Sequence, residues 1–178
     1  KVMEEPPEGV LFLLTADSLA GVLPTIRSRC VSFAIAPVSP ADCARYCTAH
    51  GVDKKTAALY SELFDGHIGT VLTAARDKAR TEQVDKAMEL ARAAQAGDSY
   101  TAAVLLAPYE KDKAGAAALL RDLRAVAAAG LQGSPHAPVQ GQQAQRTLRL
   151  AEAAIQRLGA QVNPKIVLTV FAARLAHA

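Results

Sequence analysis

The segment LPTIRSRC, residues 23–30, places two arginines two positions apart beside a cysteine. A guanidinium is planar and permanently charged, so it can bind two oxygens of one anionic group at once. Cations in the last turn of a helix also stabilise the negative end of its dipole, by about 0.3 to 1 kcal/mol each. Arg27 and Arg29 suit that role at the end of a brief helix that begins at Pro24. Because residues two apart point to nearly opposite sides of a helix, we expect at most one of them to reach a given partner site.

Cys43 and Cys47 are the second pair of chemically reactive residue types. Their i, i+4 spacing puts both on one helix face with His50 nearby, a spacing that can hold two metal ligands. A structural zinc site usually has four ligands, and Cys30 is the only other cysteine in the sequence. We therefore predict no metal site and interpret both cysteines as small buried hydrophobic side chains. No Ser/His/Asp set, paired-carboxylate site or glycine-rich phosphate loop can be assembled from these residues.

The composition indicates a mainly helical protein. The chain has 178 residues, of which 51% are hydrophobic and only 4% aromatic, and alanine is abundant. Alanine favours helices that pack closely through small side chains, and this length suits one domain or two small ones. The net charge of +3 is too small to indicate nucleic-acid binding by itself.

We expect a cytoplasmic protein. Three cysteines, an odd number, provide no disulfide framework and favour a reducing compartment. No apolar run is long enough to predict a membrane span, and no basic-then-apolar signal segment is present.

Two apolar segments before residue 37 are typical of buried strands. VLFLLT, residues 10–15, is a continuous apolar run, as expected of a strand covered on both faces in a parallel sheet. VSFAI, residues 31–35, alternates apolar and small residues and predicts a second short strand. Asp17 and Ser18 can cap a short helical turn between them. If the rest of such a sheet is missing, we expect the strand at 10–15 to be left exposed or rearranged.

The pattern after residue 36 is helical to the end of the sequence. The predicted helices span about 39–51, 54–64, 67–78, 80–96, 110–130, 143–159 and 164–177, with another capped by Asp98 or Ser99. A stretch rich in Gly, Pro and Gln, residues 131–142, is predicted to be a mobile loop. The last helix is apolar on nearly all faces, which is typical of a helix buried on several sides and favours a subunit interface.

Local signals mark the helix ends and the buried sides. The capping residues are Ser39 before Pro40, Asp53, and Asn163 before Pro164, and glycines 51, 66, 97 and 130 mark stops. The residues expected on the buried sides of the two long middle helices are Val84, Ala87, Met88, Ala91, Ala94 or Gln95, and Leu119, Leu120, Leu123 and Val126.

The order of these features resembles the clamp-loader branch of the AAA+ ATPases. The resemblance is carried by EEPP at 4–7, the apolar segment after it, SRC at 28–30, the three-helix unit and the helical tail. The segment KVMEEPPEG, residues 1–9, is typical of the last turn of a helix that Pro6 and Pro7 end. We therefore expect the chain to begin inside a larger fold. The specific likeness covers residues 1–80.

The resemblance implies a fold and a division into three parts. Residues 1–36 would be the C-terminal end of an AAA+ α/β nucleotide-binding domain, residues 37–79 a small three-helix lid, and residues 80–178 a helical collar that assembles a pentamer. The partners it implies are gamma or tau and delta clamp-loader subunits, with the sliding clamp and primer–template DNA reached through the complex. Such an assembly belongs to the DNA polymerase III holoenzyme.

The resemblance also implies roles for two residues. Arg29 matches the arginine of the SRC motif, which in this family reaches the ATP site of a neighbouring subunit. Charge on a transferring γ-phosphoryl group is spread over several oxygens, and a guanidinium can meet two of them. Thr15 lies at the position of sensor 1, the polar residue that contacts the γ-phosphate in active members, and we expect that role to be vestigial here. We expect no cofactor bound by this chain, and ATP in the neighbouring subunit.

One departure from the family pattern argues against ATP hydrolysis by this chain. Active members carry an arginine early in the third lid helix as a second phosphate sensor. The matching stretch here is DGHIGTVL, residues 65–72, and no arginine follows until Arg76. Two alternatives stay open: an ATP-hydrolysing gamma or tau type with a Walker A sequence upstream, and a stand-alone helical interaction module.

Five basic residues could face DNA through phosphate contacts. They are Lys54, Lys55, Arg76, Lys78 and Arg80. The aromatic residues that accompany such cations in single-strand binders are missing, so we expect a solvated helical surface for most of the five.

Overall fold

Helices make up nearly all of the regular structure. The computed structural model describes residues 2–16, 18–36, 38–160 and 162–176. Within these ranges there are nine α-helices and no β-strand, which confirms the mainly helical fold class. The helices are α1 (Pro24–Arg27), α2 (Pro40–Ala49), α3 (Lys54–Leu63), α4 (Ile68–Arg76), α5 (Lys78–Ala96), α6 (Ser99–Leu106), α7 (Lys113–Leu131), α8 (Gly141–Gly159) and α9 (Pro164–Ala176). The chain divides into two units, residues 1–36 and 37–178.

The two predicted strands of the first unit do not form, so this part of the prediction is wrong. Residues 10–15 and 31–35 carry no strand assignment, and their apolar side chains are exposed, with Leu11 81% and Phe33 84% accessible. A strand needs a neighbouring strand to accept and donate its backbone hydrogen bonds. Neither segment has such a neighbour among the described residues, and an apolar composition alone does not supply one.

A short turn and helix α1 lie between these two segments. Ser18 accepts a hydrogen bond from the backbone N–H of Ala20 and caps a 3₁₀ helix at Leu19–Gly21. The prediction that Asp17 shares this capping role concerns a residue outside those that the structure describes.

Helices α2 and α3 begin where their capping residues predict. The Ser39 hydroxyl accepts from the N–H of Asp42 at 3.1 Å, and Pro40 occupies the first helical position. The Asp53 carboxylate accepts from the N–H of Thr56 at 3.1 Å, and these hydrogen bonds hold the pKa of Asp53 below its usual value. The predicted ranges of α2, α3 and α4 agree with the structure to within two residues at each end.

Glycine is required at position 66, between α3 and α4. Gly66 has φ +72°, in the left-handed region that side chains other than glycine disfavour. A Cβ atom there would lie 1.8 Å from the carbonyl oxygen of Val38. The segment that leads into α2 therefore passes directly against this turn.

The long helices α5 and α7 show the predicted apolar faces. Their buried residues include all those expected from the helical period, with Ala94 buried in preference to Gln95. Helix α7 begins at Lys113, three residues later than the predicted start. A 3₁₀ turn at Ala107–Tyr109 precedes it, and the Asp112 side chain caps it by accepting from the N–H of Gly115. The capping bond, not the apolar pattern, sets the start of this helix.

The loop between α7 and α8 packs against the helix before it. Ala137 and Val139 are buried, and a Cβ atom on Gly130 would lie 1.9 Å from the carbonyl oxygen of Val139. The backbone N–H of Gln140 donates to the side chain of Gln95 on α5 at 2.9 Å. These contacts attach part of the segment to the core, and its mobility stays a prediction.

Helix α9 uses most of its apolar surface within the chain. The helix packs against α6 and α8, and its buried residues are Val167, Leu168, Phe171, Ala172 and Leu175. Ile166 and Val170 remain exposed, at 58% and 36%. The predicted burial is confirmed, and the predicted subunit interface stays a prediction. None of the described helices has the length and apolarity needed to cross a membrane.

A mostly buried ion pair joins α5 to α7. Both terminal nitrogens of Arg80 bond the carboxylate of Asp122, which is only 5% exposed, and the amide of Gln83 donates to the same carboxylate at 2.7 Å. The Arg80 guanidinium also lies 5.7 Å from the ring centroid of Phe64, beyond the end of α3. The hydrogen bonds with Asp122 raise the pKa of Arg80 above its ordinary value.

We predict that replacing Asp122 with Ala destabilises the protein strongly. Removal of one partner leaves the other charge without compensation in a largely buried position, which costs about 3 kcal/mol or more. The free energy of unfolding, measured by urea titration of the purified chain, checks this. Glu82→Ala removes an exposed carboxylate from the same helix as Arg80 and should change that free energy by less than about 0.5 kcal/mol. Equal losses in the two variants would contradict the prediction.

Candidate functional site

The segment LPTIRSRC folds into the predicted brief helix. Pro24 occupies the first position of α1, where its missing N–H is not needed. The carbonyl oxygen of Leu23 accepts hydrogen bonds from the N–H groups of Ile26 and Arg27, at 3.0 and 3.1 Å. Ser28 follows as the C-terminal cap, so Arg29 lies just beyond the end of the helix.

The two arginines occupy different environments. Arg27 lies in the last turn of α1 with an exposed side chain that makes no hydrogen bond or ion pair to the described residues. Arg29 Nη1 donates to the carbonyl oxygen of Thr25 at 2.6 Å. Arg29 therefore makes the direct hydrogen bond at the helix end, while Arg27 can act there only through its charge.

Arg29 also joins the two motifs on which the resemblance depends. Its Nη2 forms an ion pair with Glu4 of the EEPP segment, 25 residues earlier in the chain. The side chains are 36% and 50% exposed, so solvent screens the pair and its stabilisation is at most about 1 kcal/mol. Sequence reasoning found both motifs but missed this contact, because no periodic spacing relates residues on separate turns.

Thr15 lies at the end of the first segment that was predicted to be a strand, residues 10–15, and this segment has no regular secondary structure. Its side chain is exposed and makes no hydrogen bond to any part of the chain that the structure describes. Its role as a sensor 1 position stays a prediction.

The start of α4 carries a histidine where active family members are expected to have an arginine nearby. His67 is the N-cap residue, and its Nδ1 lies 2.7 Å from the carbonyl oxygen of Phe64. Arg76, in the last turn, is on the order of 13 Å away along the helix axis. Its Nη2 donates to the carbonyl oxygen of His50, at the C-terminal end of α2, at 2.8 Å. Arg76 thus links two helices and does not occupy the predicted sensor position.

Cys43 and Cys47 are completely buried, which confirms their interpretation as core side chains. His50 turns its Nδ1 to the carbonyl oxygen of Tyr46, at 2.8 Å, and stacks on the Tyr46 ring. No group of three or more potential metal-ligating side chains is found within the described ranges. Burial, together with the neighbouring Cys43, raises the pKa of the Cys47 thiol to about 11. Cys30, next to Arg29, is exposed.

The basic residues considered for DNA contacts divide into two groups. Arg80 is paired with Asp122 and is only partly exposed, whereas Arg76 is exposed although it donates to the carbonyl of His50. The side chains of the three lysines at 54, 55 and 78 are exposed. Four of the five basic residues are therefore exposed, as expected for most of them.

Comparison with known proteins finds a similarity limited to the first part of the chain. Residues 1–39 match the family model described as DNA polymerase III, delta subunit. The matched segment contains EEPP, the two segments that were predicted to be strands, α1 and SRC, and it ends at the cap of α2. The match covers 39 of the 178 residues. No curated protein and no solved structure matches the chain.

We predict that the three thiols differ in reactivity. The thiolate is the reactive form, and the raised pKa of Cys47 leaves its thiol protonated at pH 8.5. A disulfide reagent at that pH should modify only Cys30 quickly in the folded chain, and all three thiols after unfolding in urea. The released chromophore measures the number of thiols. Cys30→Ser should abolish the fast phase, and a fast phase that persists in this variant would show that the buried pair is accessible.

Proposed function

We propose that this chain is a non-catalytic subunit of the bacterial DNA polymerase III clamp loader, of the delta prime type. In this proposal Arg29 acts in trans as an arginine finger at the ATP site of a neighbouring subunit during sliding-clamp loading. The observation that carries the proposal is an exposed guanidinium, in an SRC motif, within the segment that matches the polymerase III family model. The proposal assigns no special role to Arg27.

The chemistry required of Arg29 is electrostatic. The transition state of phosphoryl transfer spreads negative charge over the equatorial oxygens of the γ-phosphoryl group, and catalysis depends on positioned cations. Each terminal nitrogen of a guanidinium carries two N–H groups. Arg29 can therefore keep its bond to the Thr25 carbonyl and still present N–H donors to an oxygen outside the chain. A lysine would offer a point charge without this planar fork.

The start of α4 supports a subunit that does not hydrolyse ATP. The first arginine of that helix is Arg76, whose guanidinium bonds the carbonyl of His50 at the far end. We propose that ATP binds in the neighbour and that this chain holds no cofactor. The alternative is a gamma or tau type subunit with its own Walker A sequence upstream. ATP binding by the full-length protein alone distinguishes the two: tight binding favours the alternative.

We further propose that residues 37–79 act as a lid and residues 80–178 as a collar that assembles the pentamer with gamma or tau and delta subunits. Apolar side chains that are exposed on α6 and α9 support a contact surface on the collar. They are Tyr100, Val104, Ile166 and Val170. The sliding clamp and primer–template DNA would be reached through the assembled complex.

We predict that Arg29→Ala in the reconstituted clamp loader lowers ATP hydrolysis at the neighbouring site by on the order of 10³-fold, because an arginine finger contributes at least that factor. DNA-stimulated ATP turnover should fall while gel filtration shows an intact pentamer. Arg29→Lys keeps the charge but loses the fork and should restore little of the rate.

Arg27→Ala is the matched control, since it removes the other exposed guanidinium of the same helix end. Its turnover should equal that of the unmodified complex. Unchanged turnover in Arg29→Ala, with the pentamer intact, would refute the arginine-finger assignment.

A further inference from the structure

We propose that Glu4 is a positioning residue for Arg29, holding the guanidinium in this subunit and competing with the neighbour's nucleotide for it. This inference rests on the proposed function of Arg29. Glu4, the first residue of EEPP, would thereby help to set the ATP concentration at which the neighbouring site becomes active. The effect is exerted on Arg29, and Glu4 itself touches no substrate.

Arg29 is held from two directions. Nη1 donates to the carbonyl oxygen of Thr25 at 2.6 Å and lies 3.5 Å from the Ser28 hydroxyl, while Nη2 is paired with Glu4. The Thr25 carbonyl is neutral, so it orients the side chain without cancelling its charge. The Glu4 carboxylate also orients the side chain, but it neutralises the charge that a phosphate would otherwise meet.

The position of Glu4 is restrained by the chain that follows it. Pro6 and Pro7 have φ held near −65°, and the residue before a proline is restricted to extended backbone. The N–H of Val10 donates to the carbonyl oxygen of Pro7 at 3.1 Å and closes a turn. These restrictions limit the conformations of the backbone next to Glu4 and so reduce the conformational entropy that is lost when its carboxylate pairs with Arg29.

Exposure makes the pair easy to exchange. Arg29 and Glu4 are 36% and 50% exposed, and solvent-exposed ion pairs of this kind change an equilibrium by only about 1.5- to 5-fold. A nucleoside triphosphate carries several negative charges and displaces the single carboxylate from Nη2. Loss of the Glu4 charge should therefore make the guanidinium more available, while the Thr25 carbonyl keeps it oriented.

The test is an ATP titration of DNA-stimulated turnover in the reconstituted clamp loader with Glu4→Gln in this chain. The expected result is a KM for ATP lowered about 1.5- to 5-fold with kcat unchanged. A merely structural role for Glu4 would lower kcat or impair assembly instead. Glu4→Asp, which keeps the charge on a shorter side chain, should give a KM between the two.

Glu5→Gln is the matched control, because it removes the adjacent carboxylate, whose side chain forms no ion pair within the described chain. Its KM should be that of the unmodified complex, and Glu4→Gln should have no effect when combined with Arg29→Ala. A KM that is unchanged or raised in Glu4→Gln, or equally lowered in Glu5→Gln, would overturn the role of Glu4 while leaving Arg29 as the finger. Full activity of Arg29→Ala alone would overturn the proposed function itself.

Discussion

The ion pair between Arg80 and Asp122 is the constraint on which the packing of the second unit depends. The carboxylate is only 5% exposed, and an unpaired charge in such a position would be strongly unfavourable. It is satisfied by two nitrogens of Arg80 and by Gln83, so α5 and α7 can approach in only a few registers. Alanine-rich helices can slide past one another at little loss of burial, and a buried polar network of fixed geometry removes that freedom.

The same region joins the three short helices to the long ones. The Arg80 guanidinium faces the ring of Phe64, which follows α3. Glu62, near the end of α3, accepts a hydrogen bond from Ser134, and His136 Nε2 lies 4.0 Å from it. Polar contacts therefore join the end of α3 both to α5 and to the loop after α7. A change in the angle between the short and the long helices would require these contacts to break or exchange.

Local chemistry explains which features could be predicted from the sequence. Ser39, Asp53 and Asn163 cap helices because each accepts from an N–H within three residues, a contact that depends on no distant part of the chain. The partner of Arg80 is 42 residues away, and that of Arg29 is 25 residues away. No periodicity encodes such pairs. The strands predicted before residue 37 failed for the same reason, because a strand exists only with a neighbour that its own residues do not specify.

Arg29 combines the two interpretations that its sequence context left open. Its Nη1 bonds a helix carbonyl, as a cation at a helix end is expected to do, and its remaining donors suit an anion outside the chain. The bond to the helix carbonyl favours binding of the external anion, since a guanidinium already held at Thr25 loses less conformational entropy when a phosphate binds. On the proposed function, ATP hydrolysis becomes conditional on assembly, because the site in the neighbour lacks this arginine until the subunit is docked. Such a cation must stay accessible in the free subunit, and this explains why it is paired at the surface, where exchange is easy, and not buried as Arg80 is.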